Sequence, residues 1–203
     1  MKYLFCFGIG KVRISAFTII ALAAMLYSDF SFFTLELIAA AAIHESGHLI
    51  AMRLFGADIF SVCILPCGVV ISSDCTKLSY KKEALTALSG IAANLVTGGT
   101  ALAAWFIFKD IYLLFFVFCS LFFAVINLIP VKTFDGARAL KALLLHYFCQ
   151  EKTDGIMDNV YYFAFLLLVL ASLYVLVVTD GNFSLVILLC VVFISVYAGE
   201  EDC

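Results

Sequence analysis

Five consecutive residues carry the strongest chemistry in the chain: His44-Glu45-Ser46-Gly47-His48. On a helix, positions i and i+4 share one face. Two imidazoles so placed can grip one Zn²⁺. The carboxylate next to the first histidine can then take a proton from a water that the metal activates. With three histidines in the chain, an H-E-x-x-H pattern arises by chance in about one such sequence in a thousand. The bland alternative is a pair of core histidines, one of them bonded to Glu45. It leaves three polar side chains within five residues of an apolar helix unexplained, and a charge in mid-membrane costs at least about 2.5 kcal/mol.

A catalytic zinc site takes three protein ligands and keeps one position open, so a third ligand is needed. Two residues are available. His146 is the remaining histidine, in a stretch that reads as an interfacial helix. Asp135 follows an apolar span, in a polar break bounded by Pro130 and Gly136. Asp135 is the better placed, although an N-cap for a helix over 137–150 would use the same residue type.

The elements that must position these residues are membrane elements. The chain has 203 residues, 65% hydrophobic and 13% charged, with a mean hydropathy of +1.14. Soluble domains average about 45–50% apolar and about 25% charged residues. A soluble enzyme and a disordered chain are both excluded by these numbers. With two prolines and no Gly/Ser/Pro-rich linker, the expectation is one integral-membrane domain over 1–203. Apolar stretches predict about six transmembrane helices, near 14–27, 32–55, 83–108, 111–129, 157–178 and 183–198. The first is expected to be retained rather than cleaved as a signal peptide. The stretch Phe60–Ser73, β-branched and broken by Pro66 and Gly68, reads as a short hairpin or re-entrant segment. The expected fold is therefore an all-α membrane protein with a short membrane-associated β-hairpin after the second helix.

If the N-terminus is cytosolic, eleven of the twelve basic residues fall on the cytosolic side and only Lys109 lies outside. Both termini are then cytosolic, in a multi-pass protein of a bacterial cytoplasmic membrane. His44 lies about ten residues, or roughly 15 Å, from the cytosolic end of its span. The eight cysteines contain no C-x-x-C pair and read mostly as small buried hydrophobes. A disulfide among Cys63, Cys67 and Cys75 would need an oxidising compartment, and the orientation argues against one. No basic block suggests nucleic acid.

Asn127-Leu128-Ile129-Pro130, followed after a short gap by Phe134-Asp135-Gly136, resembles the second zinc-ligand motif of the site-2 proteases, the intramembrane metalloproteases. That motif is usually N-P-x-P, then L-D-G. Ser89-Gly90-Ile91-Ala92-Ala93-Asn94 is similar to their G-x-x-x-N motif. With His44–His48 the three elements occur in family order over about 37–145. Leu128 and Ile91 stand where the family often has proline, and Ala137 where a second glycine is frequent. The resemblance implies one Zn²⁺ per chain held by His44, His48 and Asp135, with Glu45 as general base. By themselves Asn94 and Asn127 read as interhelical hydrogen-bond donors; the resemblance implies that they lie near the substrate or the oxyanion. The expected activity is hydrolysis of a peptide bond in or near a transmembrane segment, with a membrane-protein substrate, the lipid bilayer and a regulatory membrane protein as partners. The layout resembles the sporulation-type branch, and no PDZ or CBS domain is expected. A metal transporter would use the same ligands but give Glu45 no distinct task. A non-catalytic substrate-binding relative would have no need of an intact H-E-x-x-H.

Overall fold

The computed structural model describes residues 6–9, 12–16, 18–20, 23, 27, 31–65, 68–74 and 78–179. It divides into two compact units, residues 1–126 and 127–203.

In the first unit, helix α1 (Phe32–Phe55) carries the H-E-x-x-H residues. Ser31 caps its start by accepting from the Thr34 N–H at 3.4 Å. Gly56 ends it in the left-handed region, φ 80°, with its N–H on the Arg53 and Met52 carbonyls. The buried residues Ala40, His44, Gly47, His48, Ala51 and Met52 recur every three or four positions. They form a stripe of mainly small side chains that lies against helix α2 (Tyr80–Phe108). Its answering stripe is Ala87, Gly90, Ile91, Asn94 and Gly98. Small facing residues let two backbones approach closely where lipid supplies no hydrophobic drive. The opposite surfaces show Leu35, Ile50, Leu54, Leu85, Leu95 and Val96, a pattern suited to lipid rather than water. Helix α3 (Ile111–Leu128) follows a turn at Lys109, whose φ of 55° closes α2 and whose ammonium lies 4.4 Å from the Trp105 ring centroid.

The same unit holds a four-stranded sheet in the order β1-β2-β3-β4. β1 (Cys6–Ile9) pairs antiparallel with β2 (Val12–Ser15). β2 runs parallel to β3 (Asp58–Leu65), and β3 pairs antiparallel with β4 (Gly68–Asp74), Val62 opposite Ile71. The stretch Phe60–Ser73 therefore supplies two antiparallel strands, but they are joined by two more from the N-terminal segment. This corrects the expected start of the first span: Ile14 and Ser15 belong to β2, where Val12 and Ile14 alternate as a strand requires. Residues 16, 18–20, 23 and 27 are helical, and the rest of the expected 14–27 span lies outside the described residues.

In the second unit, two tight turns, Val131 N–H to Ile129 O and Phe134 N–H to Val131 O, both 2.8 Å, lead into helix α4 (Asp135–Tyr147). Helix α5 (Gln150–Val178) starts seven residues before the apolar span expected from Met157. The extension is polar, and Asp154 on it bonds Lys141 of α4 at 2.9 Å. That carboxylate holds the Lys141 ammonium above the usual lysine range. Both side chains are substantially exposed, so the pair orients more than it stabilises. Val131 and Ala164 form a small core with Ile129, Phe134 and Leu168. The expected sixth span, 183–198, lies outside the described residues.

Among the described residues, three helices are long and apolar enough to cross a membrane: α2, α3 and α5. α1 is long enough, but Glu36, His44, Glu45 and His48 interrupt its apolar character.

Candidate metal centre

His44 and His48 lie one turn apart on α1, both buried, with rings edge to face at 4.8 Å between centroids. Their Nε2 atoms are 3.2 Å apart. Two nitrogens bound tetrahedrally at about 2.0–2.1 Å to one zinc sit about 3.3–3.4 Å apart, so the pair is spaced as two ligands of one ion would be. The remaining nitrogens support this reading. His48 Nδ1 is 2.8 Å from the Thr86 carbonyl oxygen. A carbonyl accepts only, so Nδ1 carries the proton and Nε2 presents a bare lone pair. The Thr86 carbonyl is held in turn by the Ser89 hydroxyl, which donates to it at 2.6 Å. Metal-binding histidines are generally fixed by such a hydrogen bond from the other ring nitrogen.

Glycine makes room for this arrangement. A Cβ on Gly90 would fall on His48 Nε2 and come within 2.9 Å of His44 Cε1. A Cβ on Gly47 would come within 2.6 Å of the Ser89 carbonyl oxygen. Gly90→Ala is therefore expected to displace both rings. The expected results are a loss of about 1–3 kcal/mol of stability, as for overpacked cores, and reduced zinc content. Thermal unfolding in detergent and elemental analysis of the same preparation measure the two.

Glu45 is partly buried beside this pair, and Ser46 turns away, its hydroxyl bonded to the Ala42 carbonyl at 2.7 Å. Asn94 is fully buried, with Nδ2 3.4 Å from His44 Nδ1.

In the second unit, Asp135 is buried at the first turn of α4. The N-cap position belongs to Phe134, so Asp135 is not the capping residue that its sequence position also allowed. Its Oδ1 lies 3.6 Å from Nη1 of Arg138, which is half exposed. A Cβ on Gly136 would collide with the Leu128 carbonyl, and the Asn127 carbonyl oxygen is 3.0 Å from that position. The backbone of Asn127 and Leu128 thus rests directly on the first turn of α4, and Gly136 permits it. His146, the other candidate ligand, is exposed in the last turn of the same helix and packs on Tyr147 at 4.8 Å. Cys119 and Cys149 are free thiols, while Cys67 and Cys75 lie outside the described residues.

Thr86, Ser89 and Gly47 were not singled out by the sequence reading. Thr86, Gly90 and Asn94 follow at four-residue steps along α2, and that spacing was the available signal. A backbone acceptor leaves no trace in residue type.

The fold defines a class. The chain matches a solved site-2 protease from Methanocaldococcus jannaschii with a TM-score of 0.67 and 22% identity, over 93% of this chain and 90% of that one. More particularly, residues 110–171 match Peptidase family M50. A curated zinc metalloprotease of Methanocaldococcus jannaschii is 28% identical over 172 residues, 82% of this chain. The match covers 47% of that relative, so the chain spans about half its length. The chain thus has the fold of that site-2 protease, and residues 110–171 of it match the Peptidase family M50 model.

Proposed function

We propose that the chain is an intramembrane zinc endopeptidase, cutting a peptide bond in or near a transmembrane segment of a membrane protein. The observation that carries this reading is the 3.2 Å pairing of His44 and His48 Nε2 with Glu45 between them in sequence. Asp135 is the third ligand in this proposal. Its burial supports the choice, whereas His146 is exposed. Bound Zn²⁺ supplies Lewis acidity, which lowers the pKa of a water and polarises a carbonyl.

The chain's own residues do the rest. Glu45 takes the proton from the attacking water at its carboxylate and returns it to the leaving amine. Thr86 and Ser89 hold the His48 ring. Asn127 is proposed to face the substrate backbone. An unwound substrate segment can add to an exposed strand edge. The β3–β4 pair is proposed to be membrane-associated and to offer such an edge.

The chain is proposed to be a single membrane domain with six spans in a bacterial cytoplasmic membrane, and the distribution of basic residues supports cytosolic termini. Access is proposed to be regulated by another membrane protein. A transporter would leave Glu45 without a task. The reading is tested with a transmembrane peptide substrate in detergent or vesicles. A strong zinc chelator is expected to stop cleavage, and added Zn²⁺ to restore it. Cleavage that persists with the metal removed rejects the proposal.

A further inference from the structure

Asn94 was expected near substrate or oxyanion, yet its surroundings point elsewhere. It is fully buried, so it has no surface to offer a substrate. Its Oδ1 is buried and makes no hydrogen bond among the described residues, while its Nδ2 stands 3.4 Å from His44 Nδ1. An orphaned buried carbonyl oxygen is costly, and each such atom in a folded protein needs a reason. The two ends of an amide are also nearly indistinguishable in shape, and their assignment follows from the hydrogen bonds they make.

His44 settles which end it needs. The two Nε2 atoms face each other, and His48 Nδ1 is committed to the Thr86 carbonyl. Nε2 is thus the metal-binding atom on both rings. A neutral imidazole that binds metal through Nε2 carries its proton on Nδ1. His44 Nδ1 is then a donor, and the Asn94 amide end that faces it at 3.4 Å is also assigned as a donor. A half-turn of the Asn94 amide brings Oδ1 to that position, where it accepts the Nδ1–H.

We infer that Asn94 is a positioning residue for His44: its Oδ1 accepts the Nδ1–H and fixes the ring with Nε2 free for the metal. Asn94 would then do for His44 what the Thr86 carbonyl does for His48. One acceptor is a backbone atom and the other a side chain, so only the second can be removed by substitution. The inference rests on the zinc reading above.

The test is zinc affinity of the full chain in detergent, by competition with a chelator, with the visible spectrum of the Co²⁺-substituted protein as a second readout. Asn94→Leu keeps the volume and removes the acceptor. It should weaken zinc about 10- to 100-fold and alter the Co²⁺ spectrum. Asn94→Asp keeps an acceptor oxygen and loses the amide N–H groups. It should bind zinc at least as tightly as the unaltered chain, with its spectrum, because carboxylate–histidine–zinc groupings are well suited to the task.

Wild-type affinity and spectrum in Asn94→Leu would overturn the inference. If Asn94→Leu does not fold, Asn94→Asp decides alone: tight binding supports the acceptor role, and a folded Asn94→Asp with zinc weakened tenfold or more overturns it. Failure of the unaltered chain to bind zinc at all would instead sink the underlying zinc reading. The two failures are therefore distinguishable.

Discussion

Glu45→Gln is expected to retain one zinc per chain and to lose cleavage. The substitution keeps the shape and removes the basic oxygen, and neither imidazole is touched. General acid–base catalysis is worth about 10²–10⁴-fold, so the rate should fall by at least about 100-fold, or about 2.7 kcal/mol of barrier. Glu45 is partly buried beside the buried pair. The change should therefore cost little stability, and an unfolded variant is not the expected explanation of lost activity. Single-turnover cleavage with equal zinc content in both proteins checks this. Cleavage at the normal rate would remove Glu45 from the mechanism.

The second large effect is expected from Asp135→Ala. As the proposed third ligand, its loss should cost more than that of a supporting hydrogen bond, which is worth about 10- to 100-fold in metal affinity. Zinc binding should therefore weaken by more than about 100-fold, and activity should fall with it. Helix α4 should survive, because Asp135 is not its N-cap and its ion-pair partner Arg138, at 3.6 Å, is half exposed. Circular dichroism and elemental zinc on one preparation separate the two effects. His146→Ala is the control and should leave zinc content unchanged, since that ring is exposed. Unchanged zinc in Asp135→Ala, with loss in His146→Ala, would reverse the assignment.

Much of this was legible in the sequence because membrane helices declare themselves by apolar length. α1 runs over the residues expected of it, Phe32–Phe55, closed by Gly56 as its αL cap. The buried histidines stood out because polar groups in an apolar helix are costly and need a reason. The pairing of β2 with β3 was not legible. A parallel ladder joins segments some fifty residues apart, Val12 opposite Val62, and no local pattern announces the partner. The start of α5 was missed for the opposite reason: Gln150–Ile156 is polar, and hydropathy reports only the part of a helix that lipid selects. At the site, residue type revealed His44 and His48 but not the Thr86 carbonyl. Gly47 stands at a variable position of the H-E-x-x-H pattern, and only its contact with Ser89 shows why no larger residue fits.

The central claim is hydrolysis in the membrane rather than metal passage through it. Purified chain in sealed vesicles containing a transmembrane peptide and a zinc-sensitive dye reports both at once. The account predicts two peptide fragments, cut within or beside the apolar segment, with no zinc entering the vesicles. Zinc entry with the peptide intact would contradict it.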